Sequence, residues 1–109
     1  MHDHYKDCIE ECLACMQACN HCYDSCLKEA DIDMMRDCIR LDRECAELCM
    51  LAASAMSRNS PFVRQICALC AEACEACGRE CATHEHHEHC RQCAEACFRC
   101  AEACRRMAA

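Results

Sequence analysis

The sequence predicts an all-α protein, an antiparallel up-down-up-down four-helix bundle whose core is lined with cysteine. Cysteine recurs at alternating gaps of four and three residues, a spacing that keeps side chains on one stripe of a helix. The 109 residues include one glycine and one proline, so we expect long uninterrupted elements. Alanine, glutamate, arginine and leucine are common among the other residues and favour helix. The length suits one metal-binding domain, residues 1–109, with a modest core.

The first predicted helix spans residues 3–28 and carries the longest cysteine ladder. Because an α-helix turns about 100° per residue, the ladder stays within an arc of roughly 80°. Thiols therefore occupy the stripe where an ordinary bundle places leucine and isoleucine. The ladder consists of Cys8, Cys12, Cys15, Cys19, Cys22 and Cys26.

The second predicted helix spans residues 32–57, with Asp31 or Asp33 as its N-terminal cap. Its ladder is sparser than that of the first helix. It consists of Cys38, Cys45 and Cys49.

The third and fourth predicted helices span residues 61–82 and 86–107 and resemble copies of each other. Ser60 is a good N-cap and Pro61 a good first helical residue for the third helix. Gly78 inside this helix costs about 1 kcal/mol relative to alanine, and either close approach by another helix or chance explains it. Short turns make successive helices antiparallel neighbours. The two ladders are Cys67, Cys70, Cys74, Cys77 and Cys81, and Cys90, Cys93, Cys97, Cys100 and Cys104.

Charge and composition exclude several classes of protein. The net charge of −7 argues against nucleic acid as a partner. No apolar run approaches about 18 residues, so we expect no membrane span. The N-terminal residues 1–7 lack the apolar stretch of a signal peptide, and we expect a cytoplasmic protein whose thiols stay reduced. Two observations argue against a disulfide scaffold. The nineteen cysteines are an odd number, and the 5–6 Å Cβ spacing typical of neighbouring helix turns is too wide for a disulfide.

The cysteine pairs four residues apart suit a linear two-coordinate metal ion. Such an ion needs two sulfur atoms about 4–5 Å apart, with the ~2.3 Å zinc–sulfur bond as a guide. Thiolates select Cu(I), a soft ion for which linear coordination is characteristic. The eight pairs are Cys8/Cys12, Cys15/Cys19, Cys22/Cys26, Cys45/Cys49, Cys70/Cys74, Cys77/Cys81, Cys93/Cys97 and Cys100/Cys104.

Charge balance distinguishes the candidate metals. Four thiolates around one Zn²⁺ carry −2, and several such sites would bury a large negative charge. One Cu⁺ per thiolate leaves the core neutral, so we expect on the order of one Cu(I) per cysteine, bound with release of protons. Three alternatives stay open: a metallothionein-like zinc buffer, an iron–sulfur electron-transfer protein, and, less favoured, a redox sensor. No pattern of catalytic residues stands out, so we expect no enzyme.

The two ends of the predicted bundle differ in character. Helix polarity places Tyr5, Met56, Val63 and Met107 together as an apolar plug at one end. At the other end, extending the cysteine stripes adds methionine and histidine, soft or borderline ligands through which Cu(I) could enter. The alternative for the histidines is a solvated polar turn. The candidates at this end are Met34, Met35, His84, His86 and His87.

A second set of apolar residues flanks the thiol stripes. Ile9, Met16 and Tyr23 recur every seven residues on the first predicted helix, and Ile66 and Leu69 flank the thiols of the third. They either widen the core or form a subunit interface, since a second apolar stripe often marks association.

The ladders and the histidine-rich turn after Cys81 resemble the four-helix-bundle copper storage proteins over nearly the whole chain. Because the N-terminal residues do not look like a signal peptide, the chain resembles the cytosolic branch of that family rather than the exported one. The resemblance implies a bundle filled with Cu(I)–thiolate sites, a homotetramer, and storage or sequestration of copper. It also implies that Cys8 through Cys104 on the ladders are ligands. A copper chaperone or a copper-requiring enzyme would be the partner.

Overall fold

The computed structural model describes residues 3–109; Met1 and His2 lie outside the described residues. Four α-helices follow one another: α1 (Lys6–Leu27), α2 (Arg36–Ser57), α3 (Val63–Ala82) and α4 (Glu88–Ala108). Short 3-10 helices at Asp3–Tyr5 and Ile32–Met35 lead into α1 and α2. No strand occurs between residues 3 and 109, which confirms the predicted all-α fold.

The four helices form a closed ring of neighbours around one long axis. Each helix packs on the next along the chain, and α4 packs back on α1. The bundle measures 44 × 19 × 18 Å, which suits helices of 20 to 22 residues at about 1.5 Å per residue. On the surface, Arg105 of α4 pairs with Glu75 of α3, and Arg99 of α4 lies 3.6 Å from Glu11 of α1. The antiparallel up-down-up-down arrangement is therefore the observed one.

The turn between α2 and α3 uses the residues that the sequence marks as a stop and a start. Asn59 adopts a left-handed conformation with φ of 53°, and the Ser60 N–H donates to Ala55 O at 2.9 Å. This closes α2 as a Schellman motif. The Phe62 N–H donates to Ser60 Oγ at 3.1 Å, so Ser60 caps the following turn, although the α-helix itself begins at Val63 rather than at Pro61.

The fourth helix begins two residues later than the sequence suggests. His87 is extended, with φ of −103° and ψ of 120°, and α4 therefore begins at Glu88. Residues 83–86 form turns between α3 and α4. The loop histidines consequently do not continue the helical stripe of the α4 cysteines.

Gly78 of α3 packs against the Phe98 ring of α4. A Cβ atom at this position would sit 2.8 Å from Cε1 of Phe98 on α4. The glycine therefore has a structural cause, since the Phe98 ring fills the space that a larger residue would need. Along residues 3–109, no helix combines the length and apolar character that crossing a bilayer requires.

Candidate metal centre

All nineteen cysteines lie in the interior as free thiols. Cys8 is 2 % exposed and the other eighteen are 0 % exposed. Each ladder lies on the buried face of its helix, as the spacing of four and three predicts. The core of the bundle is therefore a column of sulfur, with small alanines and a few larger apolar side chains around it.

Within a helix, sulfur atoms four residues apart lie close together. Six such pairs have Sγ–Sγ distances between 3.7 and 4.0 Å. A linear site would need these atoms about 4.6 Å apart and a trigonal site about 4.0 Å, for a metal–sulfur bond of about 2.3 Å. The pairs are Cys15/Cys19, Cys22/Cys26, Cys45/Cys49, Cys70/Cys74, Cys93/Cys97 and Cys100/Cys104.

Between helices, sulfur atoms come equally close. The shortest contact joins Cys38 of α2 and Cys81 of α3, with a Sγ–Sγ distance of 3.3 Å. Contacts of 3.5 to 3.8 Å include Cys45/Cys74, Cys15/Cys45, Cys15/Cys97, Cys12/Cys100 and Cys8/Cys104. A metal ion held by two thiols of one helix is thus within reach of a third thiol from a neighbouring helix.

Several groups of four thiols could each surround a metal ion, and these groups overlap. Within each group, the four sulfur atoms lie within 4.8 Å of one another. Cys15 and Cys100 each belong to more than one group. Shared sulfur atoms suit bridging thiolates better than separate closed sites. Three of the groups are Cys12/Cys70/Cys100/Cys104, Cys15/Cys19/Cys45/Cys97 and Cys15/Cys49/Cys74/Cys100.

A single carboxyl group, Asp42 of α2, lies among the thiols and is 0 % exposed. The thiols of Cys77 and Cys93 donate to its Oδ1 at 3.3 and 3.4 Å. The Cys81 thiol lies 3.8 Å from the same Oδ1, and the Cys38 thiol lies 3.9 Å from Oδ2. Sequence reasoning missed this residue, although the signal was present. Asp42 stands four residues after Cys38 and so continues the α2 ladder.

Burial controls the protonation of these groups. Loss of hydration raises the pKa of Asp42 to about 11, with further contributions from the neighbouring Cys93, Cys77 and Cys38. Burial likewise raises the pKa of the Cys26 thiol to about 12. Loss of hydration therefore favours the protonated forms of Asp42 and Cys26, and a cation that binds to either group must displace its proton.

At the end where α1 and α3 finish, a histidine reaches the thiols. His89 Nδ1 lies 3.4 Å from the Sγ atom of Cys22 and 3.6 Å from that of Cys90. Its Nε2 contacts Glu29 Oε2 at 2.8 Å, so the carboxylate favours the tautomer that leaves an Nδ1 lone pair facing the sulfur atoms. With Cys26, these residues form a further four-ligand group. Sequence reasoning did not select His89 because it extended the stripe to residues 86 and 87.

The predicted methionine and histidine candidates occupy different environments at this end. Met35 is fully buried in the core, whereas Met34 is 67 % exposed. His84 is buried and its Nε2 contacts Glu80 Oε2 at 2.8 Å. His86 and His87 lie near the carboxylates of the α1–α2 loop rather than at the thiols.

The opposite end of the core is apolar. Met56 and Val63 are buried there, and Tyr5 and Met107 pack against the same cluster from the start of α1 and the end of α4. Histidine and carboxylate groups therefore mark one end of the sulfur column, and hydrocarbon side chains cover the other.

Comparison with known proteins gives matches along the entire chain. A sequence profile for the family described as Csp, copper storage protein, matches residues 1–109. The chain is 57% identical over 109 residues to the uncharacterized cysteine-rich protein YhjQ of Bacillus subtilis (strain 168), covering 100% of both chains. It matches the Cu(I)-bound copper storage protein BsCsp3 with a TM-score of 0.93 and 57% identity, over 97% of this chain and 99% of that one. A cytosolic copper storage protein from Streptomyces lividans, loaded with five coppers, matches with a TM-score of 0.93 and 44% identity, over 97% and 92% of the two chains.

Proposed function

Since the chain belongs to the copper storage protein family, we propose that it stores Cu(I) in the cytoplasm without catalysing a reaction. The observation that carries the proposal is the column of nineteen buried free thiols with sulfur contacts of 3.3 to 4.0 Å. Thiolates select soft ions, and Cu(I) is the soft ion that two or three sulfur atoms satisfy.

The ligands in this proposal are the nineteen cysteines, with capacity on the order of one Cu(I) per cysteine. At one Cu⁺ per cysteine, each ion has replaced one thiol proton and the filled interior is neutral. For linear coordination, the distance between sulfur atoms four residues apart must increase by less than about 1 Å. Rotation of the side chains supplies this change. Asp42 could exchange its own proton for a cation in the same way, and we add it as a candidate oxygen ligand.

Cu(I) enters, in this proposal, at the end that carries His89. The Nδ1 atom of His89 and the sulfur atoms of Cys22, Cys26 and Cys90 form a donor group at this end. Glu29 orients the ring by accepting the Nε2 proton. Met35 and His84 lie nearby, and Met34, His86 and His87 stay farther out, as part of the surface around this opening.

A homotetramer is the assembly that we propose, following the family. Large apolar side chains remain exposed on a single chain, among them Met50, Phe62 and Leu69, with exposed fractions of 56, 61 and 52 %. Such residues favour association. A cytoplasmic copper chaperone or copper-requiring enzyme would exchange copper with the store.

A zinc buffer is the second candidate, because groups of four thiols could surround Zn²⁺. The groups overlap, so neighbouring zinc ions would share bridging thiolates, as neighbouring Cu(I) ions would. Charge argues against zinc, since each separate filled Cys₄ site would leave a charge of −2 in the core. An iron–sulfur protein would reveal itself by visible colour as isolated.

The deciding experiment titrates the reduced apoprotein anaerobically with Cu(I) and with Zn²⁺ against competing chelators. We expect saturation on the order of one Cu(I) per cysteine and tighter binding of copper than of zinc. Cys49→Ser should lower the copper capacity, whereas Met50→Ser, on the exposed face of the same helix, should not. Saturation near four or five Cu(I), or tighter binding of zinc, would overturn the storage function.

A further inference from the structure

A cluster of histidine and carboxylate side chains joins two loops at the histidine end, outside the thiol column. Glu29 and Asp31 belong to the α1–α2 loop, and His86 and His87 belong to the α3–α4 loop. We name these four residues the loop cluster. Its nitrogen and oxygen donors differ in kind from the sulfur atoms that are proposed to store copper.

His87 lies between the two carboxylates. Its Nδ1 is 3.1 Å from Glu29 Oε2, and its Nε2 is 3.5 Å from Asp31 Oδ2. His86 Nε2 approaches the same Asp31 oxygen at 3.7 Å. The two imidazole rings are neighbours, with centroids 4.1 Å apart. Two ring nitrogens from neighbouring residues thus lie within 3.7 Å of the same carboxylate oxygen.

The Nε2 atom of His87 is buried and has no hydrogen-bond partner within the described part of the chain. Glu29 favours a proton on Nδ1, which leaves a lone pair on Nε2. That lone pair faces the Asp31 carboxylate, so two acceptors oppose each other at 3.5 Å. Such an arrangement is unfavourable unless a positive charge lies between them.

The spacing of these donors suits a bound metal ion better than hydrogen bonds. With bonds of about 2.0–2.2 Å to nitrogen and oxygen, neighbouring ligands of a tetrahedral zinc ion are about 3.4 Å apart. The observed separations are 3.5 and 3.7 Å. We propose that Asp31, His86 and His87 bind one divalent ion of the Zn²⁺ type, with Glu29 as the residue that orients His87.

The coordination sphere would be open on one side. His86 is 60 % and Asp31 36 % exposed, so water occupies the remaining position of the ion. Imidazole and carboxylate favour a divalent borderline ion over soft Cu(I). The site is therefore distinct from the copper store in ligand chemistry, and its occupancy would tie the two loops together above His89.

The test uses reduced protein whose thiols have first been filled with Cu(I), so that sulfur does not compete. Zn²⁺ is then added anaerobically and followed by calorimetry, and Co²⁺ serves as a spectroscopic probe. We expect one equivalent of Zn²⁺ per chain, and Co²⁺ bands without thiolate-to-cobalt charge transfer. The copper capacity is recorded before Zn²⁺ is added, which separates failure of this site from failure of copper storage.

The variants identify the ligands. Asp31→Ala and His87→Ala should weaken Zn²⁺ binding at least about tenfold, and Glu29→Gln should weaken it about tenfold, as loss of an orienting carboxylate does. His84→Ala is the matched control, because this histidine shares the loop but pairs with Glu80. Far-UV circular dichroism verifies that each variant keeps its helices.

Three results would overturn the proposal. They are the absence of saturable Zn²⁺ binding, unchanged affinity in Asp31→Ala and His87→Ala, and charge-transfer bands that place Co²⁺ on sulfur. The first would indicate that His87 bridges Glu29 and Asp31 as a doubly protonated imidazolium.

Discussion

Asp42 interrupts a ladder of thiols with the one carboxyl group that is fully buried in the described chain. Desolvation raises its pKa to about 11, whereas an aspartate in the unfolded chain has a pKa of about 3.9. Between these values the folded protein binds one more proton than the unfolded protein does. The contribution of Asp42 to the free energy of unfolding is therefore fully present below about pH 3.9 and falls as pH rises towards 11.

Replacing Asp42 with asparagine should remove this pH dependence, because an amide does not titrate. We expect the wild-type apoprotein to lose up to about 1.4 kcal/mol of stability per pH unit relative to Asp42→Asn between pH 5 and 8. Urea unfolding with reductant and chelator present, at four pH values, measures the difference. Thiol titration is common to both proteins and cancels. Parallel pH profiles would show that Asp42 is ionised in the folded state.

His89 lies at the end of the sulfur column where Cu(I) is proposed to enter. Because its Nδ1 faces Cys22 and Cys90, His89→Ala should slow the first phase of Cu(I) uptake several-fold. Total capacity should change by no more than about one ion, since one ligand is lost among many. Stopped-flow mixing with a chromophoric Cu(I) chelate gives both quantities. The control is His84→Ala, whose ring contacts Glu80 instead; equal slowing in both variants would contradict a specific role for His89.

At the scale of elements, Gly78 of α3 leaves room for the Phe98 ring of α4. Glycine costs about 1 kcal/mol in a helix relative to alanine. Alanine at this position would instead meet Phe98 Cε1 at 2.8 Å, so the ring would have to move. Glycine at position 78 therefore lowers the helix propensity of α3 but permits the contact between α3 and α4.

A double-mutant cycle tests this account of Gly78. In the Phe98→Ala background, Gly78→Ala should stabilise the apoprotein by about 1 kcal/mol, the full propensity gain. With Phe98 present, most of that gain should be lost, since the ring must leave its position. Chemical unfolding of the four proteins gives the coupling energy. Additive effects would mean that Phe98 does not constrain position 78.

At the scale of the whole molecule, the sulfur column shares the core of the bundle with alanines and larger apolar side chains. Cysteine is a small residue and leaves less apolar surface in the core than leucine would. Alanines and side chains such as Ile9, Met35 and Met56 supply additional apolar packing. Copper should therefore stabilise a structure that already exists rather than create one.

Loading should raise stability without changing helix content. Each site whose free Cu(I) concentration is 100 times its Kd contributes about 2.7 kcal/mol, so the melting temperature should climb progressively with added copper. Circular dichroism of the apoprotein and of partly loaded protein measures both quantities. An apoprotein without helical signal would contradict a preformed bundle and indicate folding driven by metal.

The helices and the buried thiols follow from the sequence because both depend on one local rule, a spacing of three and four residues. Asp42 obeys the same rule, but the prediction considered only cysteine at the ladder positions of α2. His89 also obeys it, four residues before Cys93, but the prediction extended the α4 stripe to residues 86 and 87, which precede the start of the helix at Glu88. The pairing of His87 with Glu29 and Asp31 depends on where two loops meet, which no spacing within one helix encodes.

The apolar plug covers one end of the sulfur column, so copper exchange is proposed only at the other end. Met56 and Val63 cover one terminus of the bundle, while neighbouring sulfur atoms lie near enough to pass an ion from ligand to ligand. Because exchange is proposed at the opposite terminus, copper ions would leave in the reverse of the order in which they entered. The ion bound last would be the first transferred to an acceptor. Withdrawal would then follow position along the axis, and two ions of equal affinity would leave at different times.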